Sequence, residues 1–321
     1  MSLRGGCVSF GALAVAGALT ICAAQDGPPR ERPPRPSTRP IDEQAAPLKI
    51  AFISYANPQQ VAKDSDAIAK YLEPYVGLRV KAFVTSDYGS SVEAMRTAQA
   101  DLAFVDPLAF MMAHEQIGAK PLLLEVYAGG KPSYYSCIWV RKDAGIKDVA
   151  ELKGRTIAFA DQVDMSGHLL PRSIFVDRGL LPPDKLEGGF FKQVYFAGGD
   201  EQAIRAVVNG FVDAAGISQF AWLLLRPEER EQVTVLARSI DSPSHLVMAR
   251  KGLPDEICGR IQAALRALDR DEPQDRALLG KLYGVEGYVE AKMGDFAEVA
   301  KIAARYGFVK KPEAFAAGKA P

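Results

Sequence analysis

The chain has 321 residues, 48% of them hydrophobic and 24% charged, with 39 basic side chains against 39 acidic ones and three histidines. That length and mix admit two compact lobes and exclude wholesale disorder. The charge balance excludes the basic footprint of a nucleic-acid binder.

The first 24 residues, MSLRGGCVSFGALAVAGALTICAA, place one basic residue, Arg4, before a weakly apolar run that ends in small residues. This is the pattern of a secretory signal peptide with cleavage at Ala24; the Gly- and Ala-rich run is marginal for a membrane anchor, which needs about 20 strongly apolar residues. Removing it takes one of the 39 positive charges and leaves 38 against 39, a net charge of minus one. Cys22 carries two readings: an apolar signal residue that is removed, or an acylation site, since LTIC before Ala and Gln loosely resembles a lipoprotein box despite the bulky Ile21. Residues 25–47, QDGPPRERPPRPSTRPIDEQAAP, hold seven prolines and no apolar periodicity, so an extended tether is expected. Cys137 and Cys258 remain in the mature chain and read as two unpaired, buried thiols, with pairing the alternative.

From Leu48 the punctuation predicts alternating strands and helices. LKIAFIS reads as a buried strand, and NPQQVAKDSDAIAKYLEPYV as a helix with Asn57 at the N-cap and Pro58 at the first helical position. RVKAFVT is a second strand. Ser90 with Glu93 three residues on forms a capping box, which puts the turn SDYG just ahead of a helix. DLAFV runs into a helix opened by Pro107, followed by strands at PLLLEVYA and YYSCIWVRK. After DVAELKGRTIAFA, a short helix and a strand split by Gly154, the loop ADQVDMSG leads into the helix SGHLLPRSIFVDRG. The strand KQVYFA, the helix DEQAIRAVVNG and the strand VDAAGI follow, then strands at QVTVLA and HLVMAR; beyond Pro254 the chain reads as mostly helix. Such alternation predicts mainly parallel sheets with helices on both faces, whose ligands sit beyond the strand C-termini. The loops there, SYANP, SDYGSS, VDP, ADQVDMSG, AGGDEQ and GISQF, are polar, and no Walker, G-x-G-x-x-G or nucleophile-elbow motif accompanies them. A binding cleft is expected rather than a catalytic set.

From about Leu48 to Pro312 the chain resembles the phosphonate-binding branch of the extracytoplasmic solute-binding proteins that feed ABC transporters. The resemblance rests on SDYGSSVEAM, DLAFVDPLAF, YYSCIWVRKDAGIKDVAELKGRTIAFAD, SGHLLPRSIF, AIRAVVNGFVDAA and DSPSHLVMARKGLP, in the family's order. It implies an α/β, two-lobed type II periplasmic binding protein fold, each lobe a mainly parallel sheet flanked by helices, with the ligand cleft between the lobes. Lobe 1 would be discontinuous, residues 48–140 plus 241–321, and lobe 2 residues 141–240, closing by hinge bending over a small molecule. The resemblance also implies a periplasmic location, an ABC permease as membrane partner or a sensor kinase in its place, a monomer, and neither cofactor nor catalysis.

The resemblance carries ligand contacts to Tyr88, the tyrosine of the DY turn, and to Ser136, the serine of the YYS strand, with Tyr134 beside it. Tyr55, in the polar loop SYANP, joins this set. The helix opening at Ser166 normally follows a cluster of hydroxyls that grips an oxyanion; here those positions read Asp164, Met165 and Ser166, with Gly167 and His168 next. A His that commonly precedes the following helix is Asp200, and the small residue before the proline of the first-lobe loop is Asp106. Where aminoalkyl phosphonate binders can place a carboxylate, GISQF offers Ser218.

Each of the three acids also reads as a helix N-cap. Together they pose the ligand question, because two unit charges 4 Å apart repel by about 4 kcal/mol at an effective dielectric of 20. A phosphonate- or phosphite-like oxyanion is the family expectation. The alternative is a metal ion, or a cationic or neutral solute, in an acidic cleft with Asp106, Asp164, Asp200 and His245 as candidate ligands. Arg172 reads as an offset to the acids or as a solvated helix residue, His168 as a ligand or a structural histidine, and Cys137 and Met165 as soft ligands or core.

Overall fold

A computed structural model describes residues 33–53, 58–127, 129–185, 189–282 and 284–310. The expected leader with Cys22, Tyr55 and the Asn57 cap lie outside these residues. The first part of the chain forms β1 (Leu48–Ile53), α1 (Pro58–Val76), β2 (Val80–Thr85), α2 (Tyr88–Arg96), β3 (Leu102–Val105), α3 (Pro107–Ile117) and β4 (Lys120–Val126). The middle part forms β5 (Ser133–Tyr134), β6 (Ser136–Arg141), β7 (Thr156–Phe159), α4 (Leu170–Asp177), β8 (Gln193–Phe196), α5 (Asp200–Val208), β9 (Ala214–Ser218), α6 (Pro227–Arg230), β10 (Val233–Arg238) and β11 (Ser242–Pro243). The last part forms β12 (Leu246–Ala249), α7 (Asp255–Arg266), α8 (Pro273–Leu279), β13 (Gly287–Glu290) and α9 (Ala297–Arg305).

These strands build one sheet per lobe, in the orders β13-β4-β12-β3-β1-β2 and β10-β6-β9-β7-β8. β1 runs parallel to β2 and β3, and β7 to β8 and β9. β12 lies antiparallel to β3 and β4, and β6 to β9 and β10. The expected parallel character therefore holds for most strands but not for every pairing, since each sheet carries one reversed strand between neighbours that agree, and the first sheet adds a second, β13, antiparallel to β4 at its edge. The cause is topological. β6 and β12 are the strands on which the chain enters a lobe from the other lobe, so each begins at the cleft, where its neighbours end. The two crossings pair with each other as β5 and β11, with Ser242 opposite Tyr134. The chain joins the second sheet already at Ser136, a few residues before the division expected near residue 140.

The strand LAFV of β3 is wholly buried, which fits an unalternating apolar run covered on both faces. The first lobe's core runs from Ile50 and Phe110 to Phe296, and it also takes in Met165, Leu169 and Leu170 from the second lobe. At α2 the expected capping box gives way to a different cap. Asp87 accepts from the Ser90 N–H at 2.7 Å, so the helix begins at Tyr88 and Glu93 falls in its second turn, bonded to Arg96 at 2.6 Å. Residues 33–47 form no helix, yet they are not a free tether. The Arg39 N–H donates to Pro74 O (2.7 Å), the Arg39 guanidinium to Glu256 (2.6 Å), and Arg35 to the buried Asp275 carboxylate. Cys137 and Cys258 are buried and unpaired.

Candidate functional site

Loop ends from both lobes meet at the strand C-termini: Tyr88 after β2, Asp106 after β3, Asp164 after β7, Asp200 after β8 and Ser218 at the end of β9. Asp106 is fully buried. One of its oxygens caps α3 by accepting from the Ala109 N–H (2.7 Å), and the other accepts from the Met165 N–H of the opposite lobe (2.8 Å). Asp164 caps the turn that opens at Met165, accepting from the Gly167 N–H (2.8 Å) and the Ser166 hydroxyl (2.9 Å). Amides at a helix start attract anions, and here the chain's own carboxylates already occupy them. Gly167 is required for this: a Cβ would collide with Ala160 and stand 2.8 Å from Asp164 Oδ2.

Capping thus accounts for Asp106 and Asp164, with a cross-cleft bond added for Asp106. Asp200 is different. Gly199 holds the N-cap position of α5, and the Asp200 carboxyl accepts from the Ser218 N–H. Burial, reinforced by the charge of Asp164, pushes Asp106 and Asp200 up to about 8, and burial raises Asp164 as well. Among the described residues no Lys, Arg or His pairs with any of these three carboxylates.

Tyr134 connects the acids to an aromatic wall. It is 3% exposed, and its hydroxyl lies beside Ser242 and within electrostatic reach of Asp106, Asp164 and Asp200. Its ring packs on His245 with centroids 5.9 Å apart. His245 Nε2 is 3.4 Å from the Tyr88 hydroxyl, and Nδ1 is 2.9 Å from the Tyr127 hydroxyl, which donates to Glu125 at 2.9 Å. Burial lowers His245 to about 4 and raises Glu125 to about 7. A neutral imidazole then fits one assignment: Tyr88 donates to Nε2, Nδ1–H donates to Tyr127, and Tyr127 donates to Glu125. Glu125 and Tyr127 are absent from the sequence expectations. Their signal was EVY at the end of a buried strand, an acid and a tyrosine two residues apart and so on one face.

Other candidates lie elsewhere or are already engaged. The buried Ser136 hydroxyl donates to Ser166 O (2.7 Å) and ties β6 to the loop, while the Ser218 hydroxyl accepts from the Phe220 N–H (3.1 Å). The Met165 side chain is buried in the first lobe's core. His168 is buried among aromatic rings. Its ring sits 5.1 Å from both Phe159 and Phe196, its Nδ1 is 2.8 Å from Gln162 O, and burial lowers it to about 4. Arg172 neither offsets the acids nor reaches solvent; it lies over the Tyr306 ring at 4.4 Å and donates to Pro183 O (2.6 Å). Cys137 belongs to the second lobe's core. Among the described residues no three His, Cys, Asp or Glu side chains come together as a metal site, so Asp106, Asp164, Asp200 and His245 do not form one.

Two lobes joined by two paired crossings, with polar loop ends from each lobe meeting at one cleft, define a two-lobed solute-binding protein. Residues 50–296 match the family described as ABC transporter, phosphonate, periplasmic substrate-binding protein, and the chain belongs to that family. It is 26% identical over 249 residues to the phosphonates-binding periplasmic protein of Escherichia coli K12, covering 75% of this chain and 71% of that protein. It is 31% identical over 175 residues to the phosphate-import protein PhnD of Mycolicibacterium smegmatis, covering 52% of this chain and 53% of that protein. The fold is shared with PhnD1 of Prochlorococcus marinus, solved in complex with methylphosphonate, at a TM-score of 0.70 and 17% identity over 82% of this chain and 98% of that one. Family membership places the protein outside the cytoplasm, in ABC transport, and among the described residues no helix is long and apolar enough to cross a membrane.

Proposed function

We propose that this protein captures a small solute between its lobes and presents the closed form to an ABC permease, acting as a monomer. Residues 1–24 serve as the export leader, and Cys22 is the point of lipid attachment if the leader is processed as a lipoprotein's. The first lobe comprises the strands up to β4 and from β12 onward, the second β6 to β10. Hinge closure is supported by the crossings, whose short strands β5 and β11 pair with each other outside either large sheet. Relatives named for phosphonate and phosphate make a small phosphonate-like oxyanion the ligand that membership favours. Tyr88 and Tyr134 supply the hydroxyls that such a ligand would meet.

The observation that carries this reading is the bond from the Met165 N–H to Asp106, a direct tie between loop ends of the two lobes at the place where a solute would be enclosed. Thermal denaturation of the mature protein with methylphosphonate, phosphite, phosphate and small amines tests it. Ligand at 100 times its dissociation constant adds about 2.7 kcal/mol to stability. A panel in which no solute raises the melting temperature would contradict the capture role.

A further inference from the structure

We propose that Glu125 and Tyr127 are positioning residues: acting through His245, they make the Tyr88 hydroxyl a hydrogen-bond acceptor towards the cleft, so the site selects a solute that brings a proton of its own. This rests on the reading of Tyr88 as a ligand contact, and it adds which kind of oxyanion that contact admits.

Backbone bonds hold the chain of side chains in place. The Glu125 N–H donates to His245 O (2.9 Å) and the Ser244 hydroxyl donates to Glu125 O, so the end of β4 and the second crossing set the carboxyl and the imidazole side by side. The side chains then meet in series: Glu125 to Tyr127 at 2.9 Å, Tyr127 to His245 Nδ1 at 2.9 Å, and His245 Nε2 to Tyr88 at 3.4 Å. The rings of Tyr134 and Tyr127 flank the imidazole, with centroids 5.9 and 6.4 Å away, and restrict its rotation.

The sense of the chain follows from its protons. An ionised carboxylate has only acceptor capacity, so the single hydroxyl proton of Tyr127 goes to Glu125. The Tyr127 oxygen is then an acceptor, and it selects the neutral imidazole tautomer that carries its proton on Nδ1. Nε2 is left as a lone pair facing Tyr88, which gives it its only proton. What Tyr88 offers a solute is therefore an oxygen lone pair. A protonated oxyanion can donate to it, whereas an oxyanion without a proton meets lone pair with lone pair. An apolar side chain in place of Glu125 reverses the chain: Tyr127 donates to Nδ1, Nε2–H donates to Tyr88, and the Tyr88 proton turns to the cleft.

Two measurements at about pH 8, above the value of about 7 to which burial raises Glu125, test the proposal. The first is the tautomer of His245 in the unliganded mature protein, read from ring-nitrogen NMR shifts. The chain has three histidines, and His114 and His168 place Nδ1 at 2.8 Å from the Ala119 and Gln162 carbonyls, so both serve as Nδ1–H references. The expected state is Nδ1–H in wild type and Nε2–H in Glu125→Met. Glu125→Gln, whose amide oxygen still accepts from Tyr127, should restore the wild-type state. The second is titration calorimetry with methylphosphonate, which can keep a proton on one oxygen, and with methanesulfonate, which has the same shape and no proton to give. Wild type and Glu125→Gln should prefer methylphosphonate tenfold or more, and Glu125→Met should narrow that preference several-fold. Melting temperature checks that each variant folds. An Nε2–H tautomer in the wild type overturns the proposal whatever the variants do, and so does an Nδ1–H tautomer that persists in Glu125→Met. The expected tautomers with an unchanged preference would overturn the selectivity and leave solute capture standing. Binding of neither solute would overturn it too, and the wider panel then decides the capture role separately.

Discussion

Asp106 links the lobes through one side chain, with an oxygen on each of two backbone amides from different lobes. Asparagine there keeps a single acceptor and turns an NH2 towards the other N–H, so Asp106→Asn is expected to cost about 1–3 kcal/mol. A urea midpoint equal to wild type would show that the second bond carries nothing. Gly167→Ala forces a methyl against Ala160 and Asp164, and overpacking of this kind costs about 1–3 kcal/mol. The carboxyls also set the pH response. Asp106 and Asp200, raised to about 8, and Glu125, raised to about 7, hold protons in the fold that the unfolded chain releases, so their contribution is full below the ordinary carboxylate range and is lost as pH rises from there through those values. His168 and His245, lowered to about 4, act oppositely and remove stability as pH falls from the ordinary histidine range towards 4. Three raised carboxyls outweigh two lowered histidines, so the melting temperature of the unliganded protein should decline from about pH 5 to about pH 8, less steeply in Asp200→Asn; a steady rise through this range would refute the assignment. At this scale the caps are legible from sequence because Asp ahead of an apolar run needs only local spacing. The second partner of Asp106 is not, since Met165 lies 59 positions away and meets it only when the lobes touch.

Most strands and helices are legible from periodicity and turn residues; the exceptions are elements whose reason for existing is non-local. β5, β11 and β13 are short and have no sequence period of their own, and they pair because the crossings and the edge of the first sheet bring partners alongside. The reversed placing of β6 and β12 follows from the route between lobes and not from their apolar content. The α2 start was displaced by a competing local signal, Asp87 against Ser90, and the residue nearer the turn took the cap. The Pro-rich segment shows the same limit: its composition specifies an extended chain, while its docking depends on a buried acid in α8. Arg35→Ala removes the guanidinium from Asp275, which is 3% exposed, and is expected to loosen the whole segment. Hydrogen exchange at the Arg39 amide, which donates to Pro74 O, should then quicken; unchanged protection would mean that the other contacts suffice.

In the molecule as a whole, the lobes touch at more than the Asp106 bond. Asp177 of α4 pairs with Arg305 of α9 at 2.6 Å, Arg172 lies over Tyr306, Phe220 meets Tyr127, and Leu169 and Leu170 join the opposite core. The Asp177–Arg305 pair is exposed, and such pairs contribute about 0–1 kcal/mol, so it cannot hold the lobes together by itself. Closure is therefore expected to depend on the solute that fills the cleft. Small-angle X-ray scattering from the mature protein, alone and with saturating choline, ethanolamine or methylphosphonate in turn, measures this directly. The expected result is a larger radius of gyration without ligand and a fall, with at least one of the three, to the value calculated for the closed structure. A radius that matches the closed structure in the absence of ligand, and does not change with any of them, would contradict solute capture by hinge closure.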